Sequence, residues 1–412
     1  MKVLGLVTEY NPFHNGHKYH LLESIKKTDA THTIAVMSGN FLQRGEPALT
    51  NKWYRAEMAV REGVDLILEL PVLYACSSAE FFSFGAISLL NNLNIVNEVC
   101  FGSECGDIEV LTSIAKVLLL EPPVYKESLR NFLSEGLSFP VARAKSLAIY
   151  FNNTDISKIV NSPNNILGIE YIKSIFRINS QIIPATIERV VADYHSSDIK
   201  ANICSATAIR SFLKNTNYSL EDLKKVMPTE SFNILTQSFS KGYGPVFLSD
   251  LEQSIFMTLR RISKSSLQNI MDVEEGLENR IIQASLKSYD LDQFFACVKT
   301  KRYTMTRLQR IIIHTLLNIK TDDYKHYNSL GGPQYVRVLA MNSRGRTLLK
   351  KIREVSSLPI LTNLSKQFLA DEAAKDMLAF DILASNVYSL GYPCKNNRDA
   401  SSDYFHHPTL LK

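Results

Sequence analysis

The amino-acid sequence predicts an α/β fold, a doubly wound parallel sheet followed by a mainly α-helical C-terminal domain. Three observations predict it. The first ~210 residues alternate short apolar runs with helical patterns, as strands separated by crossover helices do. After Lys214 strand signals become rare and amphipathic stretches dominate. The 412 residues, 45% hydrophobic and 21% charged, suffice for a sizeable core in two or three domains.

The expected strands are Val3–Thr8, Thr33–Ser38, Leu66–Leu70, Glu98–Phe101 and Gln181–Glu188. Between the first two, Leu21, Leu22 and Ile25 form one apolar helix face. Trp53–Glu62 and Phe81–Leu93 read as the next helices, and Ile108–Phe151 as a mostly helical insertion before the fifth strand. The boundary is placed near residue 213, giving a sheet domain of 1–212 and a helical domain of 213–412. In the latter, helices are expected over Leu220–Val226, Ser249–Ile262, Glu275–Ala284, Tyr289–Val298, Thr306–Asn318, Gly345–Val355 and Glu372–Leu390.

No apolar run is long enough to span a bilayer, and Met1–Val7 reads as a buried strand rather than a signal peptide. The six cysteines show no CxxC and no repeated spacing, which suits reduced thiols in the cytoplasm. No metal-binding cluster stands out. The net charge of +5 identifies no partner alone. Its distribution says more. Arg260-Arg261, then Lys299, Lys301, Arg302, Arg307 and Arg310, then Arg344, Arg346, Lys350, Lys351 and Arg353 all fall in the C-terminal half. Any one cluster fits a solvated helix face; three together suit a polyanion.

The segment Val3–Lys27 reads strand, tight turn, helix. Pro12 stiffens the turn and Gly16 allows close approach of backbone to ligand. His17 falls in the first helical turn, where free N–H groups and the helix dipole favour anions. His14 and His17, three apart, can address one phosphate chain and stabilise charge developing on an α-phosphate. HxGH alone would also fit two surface histidines; the strand before it and the helix after it supply the context for a nucleotide site. A second candidate is Cys204–Arg210. Ser205 suits an N-cap, and Thr207 and Arg210 share one helix side, offering donors to a pyrophosphate.

Tyr10–His17 resembles the HxGH turn of the nucleotidyltransferase superfamily related to class I aminoacyl-tRNA synthetases, and Ser205–Arg210 resembles its S-S-T-x-I-R signature. The resemblance implies a nucleotidyltransferase-type, Rossmann-like sheet. Asn11 stands in place of the usual Asp, Glu9 in place of Thr and Ala206 in place of Ser. These departures fall on the metal and acceptor side, not on the phosphate grip. Five blocks in order, Glu9–His17, Met37–Pro47, Phe101–Glu104, Ser162–Gly168 and Asp193–Ser196, resemble the bacterial tRNA(Met) cytidine acetate ligase family. That resemblance implies ATP as co-substrate, acetate, and elongator tRNA(Met) acetylated to N4-acetylcytidine at the wobble position through an acetyl-adenylate. It assigns residues 1–212 to ATP binding and catalysis and 213–412 to tRNA binding.

On this reading His14, His17, Lys18, Thr207 and Arg210 are the catalytic candidates. ATP contacts are expected from Val7, Thr8, Glu9, Tyr10, Asn11, Pro12, Phe13, His14, Asn15, Gly16, His17, Lys18, Tyr19 and His20, and from Gly102, Asn164, Arg189, Val190 and Ser205. Gly102 also suits a simple turn, Asn164 an N-cap with Asn165 as its competitor, and Arg189 a surface ion pair. Gln43, Arg44 and Glu46 are expected near the acetate or the flipped cytidine, and Lys301, Arg302 and Arg307 on the tRNA. Mg²⁺ commonly accompanies ATP phosphates, though no residue set here marks a metal. Two other readings share the same turn and clamp: a small-molecule nucleotidyltransferase and a carboxylate–amine ligase acting on a metabolite. A non-enzymatic RNA-binding module would not need His14, His17, Ser205, Thr207 and Arg210 intact.

Overall fold

Five apolar runs of the N-terminal half pair as the expected strands: β1 (Val3–Thr8), β2 (His32–Ser38), β3 (Leu66–Leu70), β4 (Glu98–Ser103) and β5 (Ile183–Glu188). All five are parallel, in the order β5-β4-β1-β2-β3. Residues alternate between two cores: Ile34, Val36, Leu66 and Leu68 face one, Ala35, Met37 and Ile67 the other. The computed structural model describes residues 1–189, 204–214, 219–274, 276–365 and 369–411. Val190, the Asp193–Ser196 run and Glu275 lie outside the described residues.

From β1 the chain passes through helix α1 (Asn15–Thr28) to β2 on one side, whereas β4 lies on the other. Strand order therefore reverses between β1 and β4. That reversal opens a crevice beyond the C-terminal strand ends, where sheets of this kind bind ligands. The predicted insertion is three helices, Ile108–Leu120, Pro123–Ser134 and Phe139–Tyr150; a further helix, Pro163–Arg177, returns the chain to β5.

The sheet continues past β3. β6 (Val336–Met341) joins it antiparallel, and β6's far edge is shared by β7 (Ile360–Leu361) and β8 (Thr409–Leu410). All six β6 residues are buried, Arg337 among them, so no alternation marks the strand. The rest of the C-terminal half is mainly helical. It includes two helices that sequence patterning passed over, Thr229–Ser240 and Thr321–Ser329.

Arg337 is buried because two carboxylates meet it. Its guanidinium lies 3.3 Å from Glu69 of β3 and 3.1 Å from Asp403 near the chain end. Lys52, the first residue of helix α2 (Lys52–Arg61), reaches the same two carboxylates at 2.8 Å each. Ser385 adds a hydroxyl donor to Asp403 at 2.7 Å. Burial alone would raise the Asp403 carboxyl, but Lys52 and Arg337 outweigh it and hold the group well below the usual carboxylate range. Two cations and two anions cancel in a site where all four side chains are at most 3% exposed.

Removing one member strands the others. Lys52→Met leaves Glu69 and Asp403 sharing Arg337 alone. The expected loss is about 3–5 kcal/mol of unfolding free energy, read from the urea midpoint at constant m-value. An unchanged midpoint would show that the network carries no such constraint.

Candidate active site

At the end of β1, Tyr10 takes a left-handed conformation (φ 46°) that turns the chain sharply into the segment before α1. His14 is the N-cap of α1 and has extended backbone. Its Nδ1 accepts the Gly16 N–H at 3.0 Å, while His17 Nδ1 accepts the His14 N–H at 3.3 Å. Two of the helix's orphan N–H groups are thus spent on imidazoles. The two rings stack with centroids 3.8 Å apart, and Tyr10 packs edge-on against His17. An Nδ1 that accepts leaves the proton on Nε2, so His14 presents an N–H donor.

Both histidines are held neutral. Burial pushes His14 down to about 3, with the Arg189 charge adding to it. His17 lies well below the ordinary value through burial, then His14, Arg189 and His20, against an opposing Pro12 carbonyl. His20 is lowered to about 4 by burial and Arg189. Neutral imidazoles can offer an anion N–H donors rather than charge.

The turn opens into a cavity of about 620 Å³. Val7, Thr8, Glu9, Tyr10, Asn11, His14, Gly16, His17, Tyr19, His20, Gly102, Asn164, Arg189, Ser205, Thr207 and Arg210 all line it. On its β4 side, Gly102 packs so closely under Arg189 that a Cβ would come within 3.0 Å of Arg189 Cγ and 3.6 Å of His20. Arg189 donates to Asn164 Oδ1 at 3.0 Å. Glu104 caps the helix Pro163–Arg177 by accepting the backbone N–H groups of Asn164 and Asn165 at 3.2 and 2.8 Å. Asn165 is buried and ties down the Glu104–Cys105 backbone, so Asn164 is the residue turned to the cavity. The apolar wall comes from Phe82, Phe101, Ile166, Leu167 and Tyr171.

On the β2 side, Gln43, Arg44 and Glu46 line the cavity as expected of that loop. Ser205 caps the helix Ala206–Lys214 by accepting the Ala208 N–H at 3.1 Å. Arg210, nearly buried, reaches Glu46 at 3.2 Å and Asn11 Oδ1 at 3.5 Å. The second signature thereby closes onto the first turn.

Four of the residues expected to contact ATP do not line the cavity. Lys18 turns away and donates to the Glu62 carbonyl at 2.6 Å and its carboxylate at 3.2 Å. Pro12, Phe13 and Asn15 shape the turn from behind; Asn15, for instance, donates its backbone N–H to Val226 at 2.9 Å. Of the basic residues, Arg307 sits 2.7 Å from Glu274 and Arg302 3.5 Å from the same carboxylate. Thr306, beside Arg307, lines the cavity. Sequence reasoning missed Thr306, Phe82 and Tyr171; only the neighbouring basic run hints at the first.

Among the described residues no group of three or more His, Cys, Asp or Glu is placed to hold a metal ion. Of the carboxylates that line the cavity, Glu46 is engaged by Arg210 and Glu104 by the helix start.

The histidines' burial makes a directional prediction. The unfolded chain takes up protons near pH 6.5 that the fold refuses, so the histidines' contribution to stability is full above that pH and declines as pH falls, that of His14 being lost toward pH 3. In ¹⁵N-detected NMR, His14 should appear as the Nε2–H tautomer, and His14 and His17 should not titrate between pH 8 and 5. Titration of either near 6.5 would refute the assignment.

Residues 1–403 match the family described as HIGH Nucleotidyl Transferase. A tRNA(Met) cytidine acetate ligase of Alkaliphilus metalliredigens is 47% identical over 98% of this chain and 97% of its own. One from Clostridium perfringens (strain ATCC 13124) is 43% identical over the full length of both. The crystal structure of Thermotoga maritima TmcAL bound with alpha-thio ATP superposes with a TM-score of 0.92 at 38% identity, covering 100% of both chains. Its apo form I gives 0.94 at the same identity and coverage. The chain belongs to the HIGH nucleotidyl transferase family and, within it, to the tRNA(Met) cytidine acetate ligases.

Proposed function

We propose that this chain is an ATP-dependent acetate ligase. It activates acetate as acetyl-adenylate and transfers the acetyl group to N4 of the wobble cytidine of elongator tRNA(Met). The observation that carries the reading is the pair of stacked, neutral histidines at a helix N-terminus, opening into a cavity closed by Arg210. The full-length likeness to ligases of that name, and to a relative holding an ATP analogue, supports it.

In the first step an acetate oxygen attacks the α-phosphate and pyrophosphate leaves. Acetate is ionised at neutral pH, so positioning and charge stabilisation suffice. His14 and His17 donate to the equatorial oxygens while Thr207, Arg210 and Arg189 neutralise the phosphate chain. In the second step the cytidine amine attacks the acyl carbon and AMP leaves. Reaching that amine requires the base to be splayed from its stack.

We assign ATP binding and catalysis to residues 1–212 and tRNA binding to 213–412. Thr306 at the cavity rim lies between Arg302 and Arg307, which supports Lys301, Arg302 and Arg307 as the phosphate contacts nearest the reacting base. Among the described residues no helix is long and apolar enough to cross a membrane, and all six cysteines are free. Both fit a cytoplasmic enzyme.

Incubation with ATP, labelled acetate and total tRNA should yield labelled N4-acetylcytidine after digestion. Pyrophosphate release without label in RNA would favour a ligase acting on a metabolite, and no ATP dependence would sink both. His17→Ala should lower acetate-dependent ATP–pyrophosphate exchange about 10²–10³-fold. Replacing Lys301, Arg302 and Arg307 together by Ala should weaken tRNA binding and flatten its salt dependence. Unchanged binding would move the tRNA platform elsewhere.

A further inference from the structure

We propose that Glu9 is the catalytic group on the acceptor side: its free carboxylate oxygen receives an N4 proton of the cytidine and so reads the amine and assists its attack. The inference rests on the acetyl-transfer reaction proposed above.

Three carboxylates line the cavity among the described residues: Glu9, Glu46 and Glu104. Glu104 is occupied by Asn164 and Asn165, and Glu46 by Arg210. Glu9 differs. Among the described residues only its Oε1 is bonded, accepting the Gln43 N–H at 2.8 Å. No described cation pairs with the carboxylate; the buried Arg55 instead grips the Glu9 backbone carbonyl at 2.6 Å, which fixes where the side chain starts.

Position supports the role. Glu9 directly follows β1, and its bond to Gln43 turns it to the β2 side. The phosphate-facing group of His20, Gly102 and Arg189 lies on the β4 side. The carboxylate therefore lies against the loop whose Gln43, Arg44 and Glu46 line the same cavity, as does Thr306 of the helix Met305–Leu317. A carboxylate is the matching acceptor for a cytosine N4–H; uracil offers an O4 acceptor there and would be repelled.

Chemistry asks for such a group. The N4 lone pair is delocalised into the ring, so the amine needs proton removal as it attacks. The N4 lone pair forms the N–C bond to the acetyl carbon. The acyl C–O bond breaks and its electron pair leaves on AMP. One N4 proton passes to Glu9 and then to water when the product departs. Burial raises the Glu9 carboxyl above the ordinary value; the Gln43 N–H opposes this, the Glu46 charge adds to it, and Arg44 and Arg55 oppose it. A raised carboxyl is a stronger proton acceptor. Arg210 and Arg310, which approach Glu46 and Gln43, face the same loop, and Cys76 and Tyr171 lie within electrostatic reach.

The test compares half-reactions on the full-length enzyme. Acetyl-adenylate formation is read by acetate-dependent ATP–pyrophosphate exchange without tRNA. Acyl transfer is read by single-turnover labelling of tRNA. Glu9→Gln keeps an acceptor for Gln43 and removes the base. It should slow transfer at least about 100-fold more than it slows activation. In the natural enzyme the transfer rate should rise with pH and level off, a rise that Glu9→Gln abolishes, and Glu9→Asp should recover part of the rate. Equal slowing of both steps with no recovery in Glu9→Asp, transfer at the natural rate in Glu9→Gln, or a pH-independent natural transfer rate would each overturn the assignment. Failure of the natural enzyme to label tRNA would overturn the parent reading instead.

Discussion

The four-charge cluster of Lys52, Glu69, Arg337 and Asp403 is the constraint on which the arrangement of both halves depends. Four charges cannot be buried singly; the desolvation cost is met only when all are together. Lys52 comes from α2, Glu69 from β3, Arg337 from β6 and Asp403 from the chain end. The fold must therefore bring β6 alongside β3 and return the C-terminus to the sheet. An apolar cluster would tolerate a slipped strand; a charge quartet at 2.8–3.3 Å does not. A buried ion network is weak as a source of net stability and strong as a specification of register.

The same helix sets the active-site loops. Arg55 lies three residues after Lys52, one turn along α2 and equally buried. Its guanidinium donates to the carbonyls of Glu9, Ser38, Gly39 and Thr50. Those carbonyls belong to the ends of β1 and β2 and to the loop between β2 and α2. Arg55 thus supplies hydrogen-bond donors to backbone carbonyls that lie at or beyond the strand ends. Gly45 fixes the other side of that loop. Its φ of 77° and its approach to the Arg310 backbone leave no room for a side chain, so the loop lies flush on the helix Met305–Leu317. Gln43 and Glu46 are thus held between the nucleotide turn and the helix that begins at the basic run.

Much of this was legible in the sequence, for identifiable reasons. β1 to β3 are short apolar runs between turn residues, and β1 and β3 match their expected ends. His14 and His17 could be read because their neighbours Pro12 and Gly16 carry local conformational meaning. β6 could not be read locally: Val336–Met341 is a strand because β3 needs a neighbour and Arg337 needs Glu69 and Asp403, both distant in sequence. Lys18 shows the same limit at the site. Its position in α1 suits an anion, but the Glu62 carboxylate and carbonyl reach it from α2's end. The choice between Asn164 and Asn165 was open in sequence and is decided by which of the two Glu104 and Ile159 bury.

The neutrality of the histidines bears on how such a site could turn over. Charged imidazoles would bind the ground-state triphosphate tightly and gain little as charge shifts during attack. Neutral N–H donors fixed by backbone bonds add little to ground-state charge pairing and strengthen as the equatorial oxygens accumulate charge. The cations are arranged differently. Arg189 is steadied by Asn164 on one flank and Arg210 by Asn11 and Glu46 on the other. Arg210, already shared with the Glu46 carboxylate, would hold an anion less tightly than a bare arginine. The neutrality of the donors at the start of α1 follows from burial at the β1 turn rather than from any single motif residue.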